Sequence, residues 1–176
     1  MRIEAMVKTL KSLKLHGMAS SIEELAQQDS TTYERALPLL SVLTKAETAD
    51  REVRSINYQM KAAKFPVYRD LAGFRFEQSD VDQALISSLF RCEFVDNSHN
   101  IVLVGGPGTG KSHLATAIGV QAIQHHHLRV RFLSTIELVN ALEAEKRDGK
   151  AGRTANRLMH ADLVISDELG YLPFSQ

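Results

Sequence analysis

A glycine-rich stretch, GGPGTGKS, runs from Gly105 to Ser112 and has the spacing of a phosphate-binding loop. Such a loop must point several backbone N–H groups at one anion, and glycine allows the dihedrals and close approach that this needs. Lys111 would place its ammonium group on the β- and γ-phosphates, and the Ser112 hydroxyl would complete the shell of a Mg²⁺ ion. The residues that we expect to bind the nucleotide are Gly105, Gly106, Pro107, Gly108, Thr109, Gly110, Lys111, Ser112 and His113.

An acidic pair ends the short apolar run LVISDE. It supplies the two carboxylates that a phosphate-binding loop needs for holding Mg²⁺ and for activating water. At the end of a strand beside the loop, Asp167 would hold Mg²⁺, usually through water. Glu168, just beyond the metal shell, would polarise the attacking water as a general base. Lys111 and Glu168 are therefore the candidate catalytic residues, and Ser112 and Asp167 are the candidate Mg²⁺ ligands. The alternative interpretation of the pair is an acidic turn after an edge strand.

The segments around these motifs predict an α/β fold. Short β-branched runs at 101–104, 128–134 and 162–166 are interpreted as strands, the first and last of them buried. Helical patterns cover 112–127 and 135–147. Strands and helices that alternate in this way favour a parallel sheet with right-handed crossovers. We therefore expect the glycine-rich loop to lie between a buried strand and the start of a helix.

The first 65 residues predict a small helical domain. Apolar residues fall near helical spacing from Ile3 to Leu15, and Gly17 is expected to interrupt the helix. A second helical stretch follows, in which Pro38 is expected to mark a kink or an early boundary. Residues 66–98 are interpreted as a linker with a helix starting near Ser79, and 99–176 as the nucleotide-binding core.

Composition excludes several classes of protein. The 21 basic and 21 acidic side chains balance, which argues against a general polyanion binder. A single cysteine, Cys92, excludes a disulfide framework within the chain and fits a reducing compartment. No run of 18 apolar residues is present, so we expect no membrane association and a cytoplasmic location.

A basic run near residue 150 and three consecutive histidines are weaker signals. The basic side chains are candidates for contacts with DNA phosphates, and the alternative is a solvated surface. The histidines at 125–127 point in different directions on a helix, so we expect them at a helix C-terminus rather than on one metal ion. The candidate DNA-binding residues are Lys146, Arg147, Lys150, Arg153 and Arg157.

The two nucleotide motifs, with GYLP after the second, resemble the AAA+ ATPases of the IstB/DnaC group. The resemblance is closer to the IstB-type proteins, which are ATPase helpers of bacterial insertion sequences, and it covers essentially the whole chain. The stretches that carry it are LKLHGMASSIEEL (13–25), EVRSINYQMKAAKFP (52–66), NIVLVGGPGTGKSHLATAIGVQAI (100–123) and DELGYLP (167–173).

This resemblance implies a P-loop AAA+ core with a parallel sheet, preceded by a small all-helical domain. It also implies ATP and Mg²⁺ as cofactors, and duplex DNA and a transposase as partners. The protein would use ATP to assemble on DNA as a homo-oligomer and to direct the transposase. A DnaC-like loader of replicative helicases is the alternative function.

The chain departs from the pattern of these ATPases at its C-terminus. It stops before the region where the family carries its fourth and fifth strands, a polar sensor residue and an arginine finger. We therefore expect a truncated core with an incomplete sheet, in which strands 101–104 and 162–166 flank a vacant position. We also expect weak ATP hydrolysis even where the phosphate contacts are kept.

Overall fold

The computed structural model describes residues 3–28 and 30–167. In this part of the chain the protein is a mostly helical α/β structure with one two-stranded parallel sheet. The elements are α1 (Ile3–Ser12), α2 (His16–Gln28), α3 (Ser30–Ala63), α4 (Gln83–Leu89), α5 (Glu93–Asp96), α6 (Lys111–His126), β1 (Val130–Ser134), α7 (Thr135–Arg147), α8 (Arg153–Met159) and β2 (Leu163–Asp167), with a 3-10 turn at Phe76–Gln78. None of the helices within 3–28 and 30–167 has the length and apolar character needed to cross a membrane.

The chain forms two compact units, Met1–Ser55 and Ile56–Gln176, with the boundary inside α3. The first unit has its own apolar core, in which α1 packs against α2 and the start of α3. Met6 and Leu10 of α1 are completely buried there, together with Ala19 of α2. Burial of apolar side chains from three helices gives this unit a hydrophobic core of its own.

Lys14, rather than Gly17, separates the first two helices. Lys14 adopts the left-handed conformation with φ 59°, and the N–H of Leu15 donates to the carbonyl of Leu10 at 2.9 Å. This is the pattern that ends many helices, with lysine in the position that glycine usually takes. The expected interruption at Gly17 is therefore wrong, because Gly17 lies inside α2 and the turn comes before it.

Pro38 lies within α3 and does not end it. A proline inside a helix costs about 3 kcal/mol, because a hydrogen bond is lost and the ring crowds the preceding turn. Leu37 and Leu40, on either side of Pro38, pack against the core of the first unit. This packing offsets the local cost. The expected boundary at Pro38 is wrong, because α3 continues through it.

The core of the second unit lies between α6 and one face of the sheet. Strands β1 and β2 are parallel, with Val130 opposite Leu163 and Phe132 opposite Ile165. These four side chains share one face of the sheet, because alternate residues of a strand point the same way. Ala122 and Ile123 of α6 are fully buried against this face.

Gly119 is a point of close approach between α6 and this core. A Cβ atom at Gly119 would lie 2.7 Å from Cδ1 of Ile165 and 2.8 Å from a ring carbon of Phe65. Both distances are shorter than van der Waals contact, so a side chain at this position would displace its neighbours. The absence of a side chain at Gly119 therefore sets how close α6 lies to β2.

The apolar run at 101–104 forms no strand, which corrects the expectation from its sequence. Val102 is 79% exposed and Val104 is 90% exposed. A strand is defined by hydrogen bonds to a neighbour, and no strand of the described residues pairs with this run or with the outer edge of β2. β2 is also only half-buried, because Val164 and Ser166 face away from the core.

The segment expected to form one helix from Ser79 contains two short ones. The Asp82 carboxylate accepts hydrogen bonds from the N–H groups of Ala84 and Leu85, so α4 begins at Gln83 rather than near Ser79. Cys92 then adopts a left-handed conformation with φ 57°, which separates α4 from α5. The Cys92 thiol is buried, and burial raises its pKa to about 11, so it is not a reactive thiolate near neutral pH.

An ion pair joins the segments that lead into the two strands. The Arg129 side chain donates to both carboxylate oxygens of Asp162, at 2.9 and 2.6 Å, and the Arg129 backbone N–H donates to the same carboxylate at 2.8 Å. The hydrogen bonds from Arg129 lower the pKa of Asp162 below its usual value. The stabilisation is therefore complete above the unfolded-state pKa and is lost as the pH falls through the lower folded-state pKa.

We expect Asp162→Asn to lower the free energy of unfolding by about 1 kcal/mol at pH 7, because the pair is partly exposed to solvent. The difference between the variant and the original chain should begin to shrink below about pH 4, the ordinary pKa of an aspartate, and should vanish once the pH has fallen through the lower folded-state pKa of Asp162. Urea denaturation at several pH values measures both effects. Asp80→Asn, at an exposed position, is the control. A difference that stays constant down to pH 2 would contradict this role of the Arg129–Asp162 pair.

Candidate nucleotide-binding site

The glycine-rich loop takes its shape from two left-handed glycines. Gly108 has φ 75° and Gly110 has φ 88°, values that residues with a side chain adopt only at a cost. Gly110 is the N-cap of α6, so the helix begins at Lys111 directly after the loop. Free backbone N–H groups and the positive end of the helix dipole therefore point to the place where the loop ends.

Close approach, rather than an unusual dihedral, explains the glycine at the start of the loop. A Cβ atom at Gly105 would lie 2.9 Å from the Thr109 hydroxyl oxygen. That hydroxyl donates a hydrogen bond to the carbonyl oxygen of Gly106, also at 2.9 Å. Thr109 therefore closes the loop across its base, and the first glycine leaves room for it.

The Lys111 side chain folds back over the loop. Its ammonium group donates to the carbonyl oxygens of Gly105 and Gly106, at 2.7 and 2.6 Å. An anion held by the loop would meet this ammonium group, and its oxygens would replace the two carbonyl groups as partners. The lysine is therefore placed where a phosphate-binding role requires its charge.

The loop and the end of β2 lie at the same edge of the sheet. Residues 127–129 connect the C-terminus of α6 to β1, so α6 runs back along the sheet, and it packs against both strands. Its N-terminus therefore lies at the carboxyl edge, where β1 and β2 end. The structure brings Lys111 and the exposed Ser112 to the edge where Asp167 ends β2. Glu168 and the residues of DELGYLP that follow it lie outside the described residues.

Thr135 is a residue at this edge to which sequence reasoning assigned no part in the site. Its hydroxyl is buried, donates to the carbonyl oxygen of Asp167 at 2.8 Å and lies 3.1 Å from the Ser166 hydroxyl. The side chain therefore joins the start of α7 to the end of β2 and holds the backbone of Asp167. The sequence predicts Thr135 as the helix cap, which is wrong, because Ser134 is the N-cap and Thr135 is the first residue of α7. The sequence contains no signal for the longer contact with Asp167.

A second missed contact joins the connector before α4 to the loop. The Phe74 ring lies against Gly110, and the imidazole of His113 is hydrogen-bonded through Nε2 to the carbonyl oxygen of Asp70, at 2.8 Å. Phe74 and His113 are in edge-to-face contact, with ring centroids 5.4 Å apart. The high aromatic content of residues 65–76 was the only sequence signal for this cluster.

The basic candidates divide into two groups. Lys150, Arg153 and Arg157 line one open pocket of about 380 Å³ between the end of α7 and α8. Glu145 accepts a hydrogen bond from the buried Thr154 hydroxyl and thereby joins the two helices. Lys146 and Arg147 are exposed on the last turn of α7 and do not line this pocket.

The three histidines lie at the C-terminal end of α6, as expected. His125 and His126 are in its last turn, and His127 follows in a left-handed conformation. The His126 ring nitrogen Nε2 is hydrogen-bonded to the Phe90 carbonyl oxygen at 3.0 Å. Across residues 3–28 and 30–167, no group of three or more histidine, cysteine or acidic side chains is arranged to hold a metal ion.

Comparison with known proteins shows which family the chain belongs to. The family model of the IstB-like ATP binding proteins matches residues 8–176. The chain belongs to this family. The resemblance to the IstB-type proteins is therefore confirmed.

Relatives within the IstB-like family come from several bacteria. The chain is 32% identical over 168 residues to a protein of Pseudomonas aeruginosa named as an ATP-binding protein of insertion sequence IS21, covering 95% of this chain and 63% of the relative. It is 33% identical over 161 residues to the corresponding protein of IS5376 from Geobacillus stearothermophilus, covering 91% and 64%. The chain thus spans slightly less than two thirds of the length of these two relatives.

Proposed function

We propose that this chain is an ATP-binding, DNA-associated helper of insertion-sequence transposition. It would use ATP to assemble on duplex DNA as a homo-oligomer and to direct the transposase of the same element. The observation that carries the proposal is the loop from Gly105 to Ser112, in which left-handed glycines, a helix N-terminus and the Lys111 ammonium group converge. The names of the relatives support the ATP and insertion-sequence parts.

Mg²⁺ fits the oxygen atoms at the carboxyl edge of the sheet. The Ser112 hydroxyl is exposed in the first turn of α6, and Asp167 ends β2 at the same edge. Hydroxyl and carboxylate oxygens, completed by water and phosphate oxygens, are the ligands that Mg²⁺ takes in nucleotide sites. When bound, the ion would neutralise charge on the β- and γ-phosphates. Lys111 would bind the same phosphates, and Glu168 would orient the attacking water.

The pocket between α7 and α8 is the proposed contact with DNA. Lys150, Arg153 and Arg157 line it together with the acidic residues Glu145 and Asp148, and no ion pair is found for the three basic side chains in the described part of the chain. The three basic side chains outnumber the two acidic ones, and cations that are not held in an ion pair can neutralise backbone phosphates when DNA binds. Lys146 and Arg147, one turn earlier on α7, would extend this surface.

The proposal is tested by measuring the affinity for duplex DNA with and without ATP. If ATP drives assembly on DNA, we expect ATP to raise the affinity at least ~5-fold, the lower end of ordinary coupling between two sites. Lys111→Ala should remove this effect of ATP and leave the affinity measured without ATP unchanged. An intact chain that binds no ATP, or whose DNA affinity is the same with and without ATP, would contradict the proposal. Co-purification with the transposase tests the remaining partner.

Charge reversal in the basic pocket should weaken DNA binding. A plot of log affinity against log salt concentration has a negative slope, and each phosphate contact contributes about −0.9 to it. We expect the double variant Lys150→Glu, Arg153→Glu to make this slope less steep by about 2. Affinity should fall for all duplex sequences alike, because phosphate contacts carry no sequence information. Fluorescence anisotropy at four salt concentrations measures the slope.

A matched control separates the pocket from the overall charge of the protein. Arg35→Glu, Lys45→Glu makes the same change in charge at two exposed positions of α3, outside the pocket. This variant should keep the original slope within experimental error. Equal slopes for the two double variants would show that the pocket between α7 and α8 has no special role.

A further inference from the structure

The connector between α3 and α4 places aromatic rings beside the phosphate loop. Phe74 Cε2 lies 2.6 Å from the position that a Cβ atom of Gly110 would take. Phe76 packs edge-on against Phe74, with ring centroids 4.9 Å apart. Both phenylalanines are only half-buried, although phenylalanine is among the residues most often found inside proteins. Part of this aromatic surface is therefore open to solvent at the junction of the loop and α6.

Three hydrogen bonds hold the connector in this place. The Asp70 carboxylate accepts from the N–H of Gly73 at 2.9 Å, and the N–H of Phe74 donates to the Leu71 carbonyl oxygen at 3.0 Å. These bonds form a tight turn directly before Phe74. The Asp70 carbonyl oxygen accepts from His113 Nε2 at 2.8 Å, which ties the turn to the first turn of α6.

His113 connects the aromatic cluster to the phosphate-binding residues. It follows Ser112 directly, and its ring is edge-to-face with Phe74. A backbone carbonyl only accepts hydrogen bonds, so Nε2 carries the proton in this contact. The imidazole is therefore oriented by both the turn and the phenylalanine, one residue beyond the loop.

A nucleoside triphosphate in the loop would need a surface for its base. The phosphates would lie at the loop and Lys111, and the ribose and base would extend outward from the α-phosphate. Aromatic side chains next to a phosphate site are suited to this, because every base has a flat π-face that can stack on a ring.

We propose that Phe74, supported by Phe76 and His113, forms the contact surface for the base of the bound nucleotide. This inference rests on the proposed ATP-binding function and adds the residues that hold the nucleoside. The connector would then contribute to nucleotide affinity, while the loop from Gly105 to Ser112 binds the phosphates.

Binding of ATP and of inorganic tripolyphosphate to Phe74→Ala separates the two contributions. We expect the affinity for ATP to fall about tenfold, in the range of one lost base–aromatic stack, and the affinity for tripolyphosphate to change less than about twofold. Tyr68→Ala, an exposed aromatic residue of the same connector, should change neither affinity. Equal losses for both ligands would show that Phe74 only supports the loop, and no loss for either would exclude any role.

A tryptophan reporter provides an independent readout, because the chain contains no tryptophan. The emission of Phe74→Trp should change when ATP is added and should change much less with tripolyphosphate. The emission of Tyr68→Trp should not respond to either ligand. An ATP response that tripolyphosphate reproduces in full would contradict a contact with the base. If the original chain binds neither ligand, the proposed ATP-binding function fails, and this inference fails with it.

Discussion

Replacing Lys111 with alanine should lower the affinity for ATP by about 100-fold or more. The ammonium group lies on the loop through hydrogen bonds to Gly105 and Gly106 and would meet an anion held there. In the complex, contacts with charged phosphate oxygens would replace these contacts with neutral carbonyl groups, and a net difference of about 2.8 kcal/mol corresponds to a 100-fold loss of affinity. Isothermal titration calorimetry of the original chain and the variant measures the ratio directly.

Two checks make the Lys111→Ala result specific. Lys150→Ala removes a lysine from the basic pocket, which shares no residue with the loop, and it should keep ATP affinity within about twofold. Far-UV circular dichroism should show unchanged helix content for both variants. An ATP affinity of Lys111→Ala within threefold of the original would mean that the loop does not bind phosphates as proposed.

The second large effect concerns folding. Gly119→Val should destabilise the second unit by about 3 kcal/mol, at the upper end of the usual cost of overpacking a core. The new side chain would collide with Ile165 of β2 and with the Phe65 ring, which lie 2.7 and 2.8 Å from the first added carbon. Urea denaturation followed by circular dichroism measures the change in the free energy of unfolding.

A pair of glycine-to-alanine changes is the matched control for this prediction. Gly17→Ala, in α2, meets no atom within 4 Å and should be neutral or stabilising by up to about 1 kcal/mol, because alanine is the better helix former. Gly119→Ala should destabilise the chain despite the same gain in helix propensity. If both alanine variants are equally stable or both gain stability, the close packing of α6 on β2 is not limiting.

The helices and the loop could be predicted from local signals. The predicted bounds of the helix at 135–147 are those of α7, because its pattern begins after a strand and ends before Asp148 and Gly149. The glycines of GGPGTGKS predict left-handed dihedrals, and two of them have these values. In both cases the information lies within a few residues of the feature, so the sequence alone is sufficient.

The contacts that were missed depend on residues far apart in the chain. An apolar run such as 101–104 forms a strand only if another strand is present to pair with it. The sequence pattern of the run does not show whether such a partner is present. The contact between Phe74 and Gly110 joins positions 36 residues apart, and Thr135 reaches Asp167 across 32. Such contacts are set by tertiary packing, which neither helical nor strand periodicity records.

The Lys111 hydrogen bonds also affect how calorimetry of this protein should be interpreted. Before ATP arrives, the ammonium group already has two carbonyl partners, at 2.7 and 2.6 Å. Binding is therefore an exchange of partners, and the measured enthalpy is the difference between the phosphate contacts and the carbonyl contacts that they replace. A small enthalpy of binding would be compatible with strong phosphate contacts, because the unliganded loop starts from a state in which its lysine is already satisfied.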